Sequence, residues 1–140
     1  MRVILLSPNE VTLCWMLIKD MLIGALEKSK WIDRYPIQAL YDDLIESDKK
    51  CWLVVTYEKI IAVAVTQDVD YPLGKSLLVF QLFGDDMETW YSLLNENFDK
   101  YSRDLGIKWI DACAREGLGK KYLSRIGYKV LNHHYCKKVD

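Results

Sequence analysis

Apolar and polar positions change their period several times along the chain, and each change marks an element. Val11, Trp15, Ile18, Leu22 and Leu26 recur at helical spacing behind Ser7-Pro8-Asn9-Glu10, which combines capping residues with a proline at an early helical position. The spacing predicts a helix to about Lys28, preceded by a weakly alternating first strand over Met1 to Ser7. After the link Ser29 to Tyr35, Pro36 opens a second helix. Its apolar stripe is Ile37, Leu40, Tyr41 and Leu44, which leaves Asp42, Asp43 and Glu46 facing water. The β-rich runs Cys51 to Tyr57 and Ile60 to Gln67 flank Glu58-Lys59 as a hairpin, and Asp68 to Lys75 reads as a loop.

Ser76 to Phe83 is the next strand, ended by Gly84. Asp85 or Asp86 then caps a long third helix, lined on one side by Met87, Trp90, Leu93, Leu94 and Phe98 and stopped at Leu105-Gly106. Ile107 to Ala114 is a further strand. Leu118 to Ile126 is short helix material stopped by Gly127, and Tyr128 to Val139 closes the chain as one bent strand or a hairpin. No repeat, linker or low-complexity segment interrupts this order.

Composition narrows the class. At 140 residues, 51% of them apolar, residues 1–140 are expected to form one globular domain. Lys and Arg number 19 against 20 Asp and Glu, so composition argues for neither nucleic acid nor an anionic membrane as partner. Val3-Ile-Leu-Leu6 is far shorter than the roughly 18 apolar residues of a membrane helix, and a soluble, cytoplasmic protein is expected. Cys14, Cys51, Cys113 and Cys136 lack the close paired spacing of a zinc or redox site and read as reduced, mostly buried thiols. Five Trp and nine Tyr are a heavy aromatic load; exposed members would give a surface for a protein partner or a homo-oligomer.

The chemistry concentrates where strand 76–83 meets the third helix. A strand, a tight turn and a helix N-terminus make an anion site, because unpaired backbone N–H groups and the helix dipole converge there. Asp85 and Asp86 set carboxylates at that point, where a ligand phosphate would sit. Elsewhere the bland reading wins. His133 and His134 are adjacent, so on a strand only one faces any cleft, and His134 with Cys136 is too few ligands for a metal. Cys113 reads as a packed strand thiol, and Arg115, Lys120, Lys121 and Arg125 as a solvated helical face. Trp31, Tyr35 and Tyr41 read as packing first, with an interface role also open.

This element order, together with Tyr122-Leu-Ser-Arg-Ile-Gly-Tyr128 and Gln81-Leu-Phe-Gly84-Asp85-Asp86, resembles the GNAT N-acetyltransferase family, and in length and texture the short GNAT-like proteins of tailed bacteriophages. The resemblance covers the whole chain in element order and two places in motif. It implies a three-layer α/β/α fold with a mixed, mostly antiparallel central sheet, V-split between Leu77 to Phe83 and Lys108 to Ala114. It also implies acetyl-CoA in the cleft, contacting Leu82, Phe83, Gly84, Asp85, Asp86 and Met87. Asp86 stands where the family's phosphate loop has Gly or Ala. In the closing motif Leu123 holds the place of the tyrosine that reprotonates the departing thiolate, so Tyr122, one residue away, is the candidate acid.

Three functions follow from the resemblance. One is acyl transfer from acyl-CoA to an amine. The second is a catalytically silent GNAT-like protein of a phage, structural or acting on the host, located in the virion or host cytoplasm. The third is a module for another small anionic ligand.

Overall fold

The computed structural model describes residues 1–57, 59–113 and 121–139. The elements run β1 (Arg2–Leu6), α1 (Pro8–Lys28), α2 (Ile37–Ile45), β2 (Lys50–Thr56), β3 (Lys59–Tyr71), β4 (Gly74–Gly84), α3 (Met87–Leu105) and β5 (Trp109–Ala112), with a 3₁₀ turn at Leu123–Ile126. Strand order in the sheet is β1-β2-β3-β4-β5. Pairing is antiparallel up to β4, which meets β5 in parallel. A parallel pair requires a crossover, and α3 supplies it.

The helix starts follow the local chemistry. Ser7 Oγ accepts from Glu10 N at 3.2 Å while Ser7 N donates to Glu10 Oε1 at 2.9 Å, a capping box with Pro8 in the first turn. Gly106, left-handed at φ 70°, terminates α3 as expected. Helices α1 and α2 cover one face of the sheet, where Leu22, Leu26, Leu40 and Leu44 meet Leu53, Val63 and Val65. Helix α3 covers the other, where Trp90, Leu94 and Phe98 meet Trp52, Ala62, Leu77 and Val79. Strand β2 is buried on both sides, so its sequence Cys51-Trp-Leu-Val-Val55 runs apolar without alternation. The layers are those of the expected α/β/α sandwich.

Several expectations are corrected. The stretch Asp68 to Lys75 is mostly strand: β3 runs on to Tyr71 and β4 begins at Gly74, so only Pro72-Leu73 turns. Asp68, Asp70 and Lys75 are exposed on this hairpin, with Lys75 opposite Asp70. Strand β2 ends at Thr56 and β3 begins at Lys59, each one residue earlier than expected, with Tyr57 in the left-handed region at φ 52°. Strand β5 is shorter than Ile107 to Ala114, and of the expected helix Leu118 to Ile126 residues 118–120 lie outside the described residues. Tyr128 to Val139 forms neither strand nor hairpin. Cys113 and Cys136 are exposed, against the expectation of mostly buried thiols and of a packed Cys113; Cys51 is buried and Cys14 partly so.

Candidate functional site

Strand β4 has two unlike halves. Ser76 to Val79 is paired on both edges, to β3 and to Trp109–Ala112 of β5, and Ser76 Oγ donates to the Asp111 carboxylate across the second ladder. Thr66 of β3 stands opposite Val79 and Val65 opposite Gln81, so Phe80 is one extra residue in β4, a bulge. The β5 ladder ends at the same place, with Val79 against Ala112. Among the described residues, Phe80 to Gly84 is therefore paired to β3 alone. A bulge bends its strand and increases the local twist, which turns this half away from the line of β5. Its second edge keeps backbone N–H and C=O groups that need partners.

Side chains fix the bulge. Phe80 points to the α1/α2 face, edge-on to Trp31 and Tyr35 with centroids 5.4 and 5.2 Å away, and Lys49 Nζ lies 5.0 Å from its ring centre. Gln81 turns toward the end of α1, where Ser29 Oγ donates to Gln81 Oε1 at 3.0 Å. Gln81 Nε2 is buried and has no hydrogen-bond partner among the described residues. Phe83 lies against Gly24, where an added Cβ would come within 2.6 Å of its ring.

The turn into α3 is two residues long. Gly84 is required by crowding, since a Cβ there would sit 2.8 Å from both Ala62 Cβ and Ile61 O and 2.9 Å from the Trp90 indole. That indole donates to Asp85 O at 2.7 Å and pins the turn from below. Asp86 occupies the N-cap position in the left-handed region, φ 55°, and its side chain makes no cap hydrogen bond. The expected aspartate cap is thus a correction. N-cap residues bond the second and third amides from extended backbone, a geometry that the left-handed conformation does not offer. Asp85 and Asp86 are both exposed beside the start of α3.

Asp43, read as water-facing, is instead half-buried. It accepts from Tyr35 Oη and, at 3.1 Å, from Lys49 Nζ. Burial pushes its carboxyl upward, yet the hydrogen bonds from Tyr35 and Lys49 outweigh this and hold it below the usual range. Burial, with the hydrogen bond to Asp43, raises the Tyr35 hydroxyl well above its ordinary value. Helical spacing concealed the cluster. The available signal was a tyrosine and a lysine just outside opposite ends of α2, each within reach of one carboxylate. A cavity of about 410 Å³ adjoins it, lined among others by Asp43, Asp48, Lys49, Lys50, Thr66 and Asp68. It lies beyond the closed half of β4, since Thr66 is the register partner of Val79.

The other sequence candidates are dispersed. Tyr122 is half-exposed ahead of the 3₁₀ turn, with Lys121 Nζ 5.3 Å from its ring centre. Leu123 is buried in the core on the α3 side. Lys121 and Arg125 are exposed, while Arg115 and Lys120 lie outside the described residues. His133 and His134 are exposed on the final segment. Trp31 and Tyr35 pack on Phe80 and Tyr41 on Trp15, so packing accounts for that cluster. Among the described residues no group of His, Cys, Asp or Glu is placed to hold a metal, and no helix is long and apolar enough to cross a membrane.

No family model matches the chain, and neither does any curated protein sequence. Solved structures do match. A probable acetyltransferase superposes with a TM-score of 0.78 at 10% identity over 100% of this chain and 99% of its own. The fold is the GNAT acetyltransferase fold. An aminoglycoside acetyltransferase from an uncultured soil metagenomic sample superposes at 0.74 and 18% identity, over 99% of this chain and 97% of its own. A predicted acetyltransferase from Clostridium acetobutylicum, solved with acetyl-CoA, superposes at 0.63 and 14% identity, over 98% of this chain and 95% of its own. At such identities the common property is the path of the backbone.

Proposed function

We propose that the chain is an acyl-coenzyme A dependent N-acyltransferase with a weakened grip on the cofactor's phosphates. In this reading Leu82, Phe83, Gly84, Asp85, Asp86 and Met87 border acetyl-CoA, and Tyr122 is the proton donor. One observation carries the proposal: the β4–β5 ladder stops at a bulge, so that among the described residues Phe80 to Gly84 has a free edge that leads to the start of α3. The GNAT-fold structure solved with acetyl-CoA supports it by architecture.

The residues fit the two ends of the cofactor unequally. A free strand edge offers alternating donors and acceptors to an extended, amide-bearing arm, as it would to another strand. The unpaired Gln81 Nε2 adds a buried donor beside it. At the other end, the first amides of a 19-residue helix favour an anion, while Asp85, Asp86 and Glu88 oppose it. Like charges about 4 Å apart repel by ~1 kcal/mol in water and ~4 kcal/mol at an effective dielectric near 20. Both aspartates are exposed, so the lower figure governs, and each carboxylate costs ~5-fold in affinity. The phosphate end therefore fits with reduced affinity. Bound, the cofactor supplies a thioester-activated acyl group. The chain's part is to hold its arm along β4 and to offer the Tyr122 hydroxyl to the leaving thiolate.

Calorimetric titration with acetyl-CoA tests this. Weak binding is expected, strengthened ~5-fold in Asp86→Gly. Absence of heat in both proteins would sink the proposal.

The second reading, a catalytically silent GNAT-like protein of a phage particle or host interaction, is favoured by one observation. Leu123, at the family's acid position, is packed into the core and has no proton to give. Cofactor binding without acyl transfer to any amine, unchanged in Tyr122→Phe, would select it.

A further inference from the structure

The cavity beside Asp43 lies on the β2 side of β3, whereas the open half of β4 has its free edge on the β5 side. Its shape follows from where β2 starts. Ser47 is left-handed at φ 66°, and Asp48 N and Lys49 N both donate to Asp43 O, at 2.9 and 3.3 Å, so the end of α2 holds this turn back from the sheet. Pairing with β3 begins only at Lys50, opposite Thr66. Strand β3 runs on to Tyr71, and among the described residues Gln67 and Asp68 have no partner strand on the β2 side. The gap between turn and strand is the cavity of about 410 Å³, a volume in the range of small-molecule sites. Backbone N–H and C=O groups of the unpaired β3 edge border it and need partners.

All the residues that line this cavity are polar, which disfavours an apolar occupant, and their charges are unequally spent. Asp43 and Lys49 satisfy each other at 3.1 Å. Among the described residues Asp48, Asp68 and Lys50 enter no ion pair, and Asp68 takes hydrogen bonds only from Tyr101 Oη, 3.2 Å from its nearer oxygen. Two unpaired carboxylates and one unpaired ammonium therefore border one polar space. The complement is a molecule with two cationic groups and one anionic group. An α-amino acid with a basic side chain carries that set on a small frame. We infer that the cavity binds a free basic α-amino acid, with its carboxylate on Lys50 and its two cationic groups on Asp48 and Asp68. A simple polyamine lacks the group for Lys50, and a neutral amino acid lacks the group for the second aspartate. The site is separate from the proposed acyl transfer and does not depend on it.

Amide NMR of the full-length protein titrated with L-arginine reads the site directly. Saturable shifts are expected at Ser47 to Lys50 and at Thr66 to Asp68, with millimolar affinity, since each charge pair at a surface site is worth no more than ~5-fold. Agmatine, which is arginine without its carboxylate, and L-citrulline, whose side chain is neutral, should each bind ~5-fold more weakly. Lys50→Ala should weaken L-arginine ~5-fold without weakening agmatine, whereas Asp68→Asn should weaken both. Asp68 is exposed and Lys50 half-exposed, so both variants should keep the melting temperature of the parent. The comparison of the three ligands on the parent decides the matter even if a variant fails to fold. Absence of a saturable shift with L-arginine overturns the inference, and so do shifts centred away from the two segments. Agmatine binding as tightly as L-arginine would make this an unselective acidic surface and overturn it equally.

Discussion

The two halves of β4 share one backbone and one neighbour, β3, yet among the described residues only the first half is closed on its second edge. In Ser76 to Val79 the alternate residues Leu77 and Val79 enter the core under α3, and the second row of hydrogen bonds goes to β5. Phe80 to Gly84 has lost that alternation. Phe80 and Gln81, adjacent in sequence, both reach the α1/α2 side, to Trp31 and Ser29 respectively. What differs is what the helices ask of the strand. Aromatic rings from the α1–α2 link draw Phe80 toward them, the bulge accommodates it, and pairing with β5 ends there. Stability is concentrated in the closed half, and unpaired polar groups in the open one.

The largest expected effect breaks the closed half. Leu77 is fully buried against α3, and Leu77→Ala should cost ~2–5 kcal/mol in urea unfolding through loss of burial and the cavity left behind. Because Leu77 lies away from the open edge, surviving folded protein should keep the acetyl-CoA affinity of the parent. A loss of affinity matching the loss of stability would mean that the halves act as one unit. Next is Gly84→Ala at the end of the open half. The new methyl meets backbone Ile61 O and the Trp90 indole at under 3 Å, so ~1–3 kcal/mol of overpacking is expected. Here binding should suffer with stability, because the displaced element is the turn that leads to α3.

The same contrast separates what the sequence disclosed from what it hid. The spacing in α1, the Ser7–Glu10 box and Gly106 are local signals with local causes, and those elements are found where the pattern places them. Gly84 as the end of β4 was legible for the same reason. The bulge was not, since one surplus residue between Val79 and Gln81 is set by rings from the α1–α2 link, distant in sequence. Nor was the inward turn of Asp43, whose partners Tyr35 and Lys49 flank α2 rather than lie on it. The loop expected over Asp68 to Lys75 failed for a different reason. Polar side chains on a hairpin tip look the same whether the backbone beneath them is paired or not, and here it is paired to Tyr71. The final segment carries strand-like residues, but propensity alone pairs nothing, and it lies off the sheet.

The smallest expected effect concerns how the open half is held from behind. Lys49 stands over both Tyr35 and Phe80, and Asp43 anchors it, so the cluster fixes the ring that produces the bulge. The carboxyl of Asp43 is lower in the folded chain than in the unfolded one. A depressed carboxyl contributes stability that is present above the unfolded value, about 3.9, and is lost as pH falls through the folded value. Asp43→Asn should therefore cost up to ~1 kcal/mol near neutrality, the pair being partly exposed and screened. That difference from the parent should shrink steadily as the medium is acidified below pH ~4. Urea midpoints measured between neutral and acid pH decide the matter: a gap that stays constant or widens on acidification would show that Asp43 does not hold Lys49 as a carboxylate. If the gap closes as expected, the variant at neutral pH should also exchange the amides around Phe80 faster while those of Ser76 to Val79 keep their protection, since only the open half depends on this support.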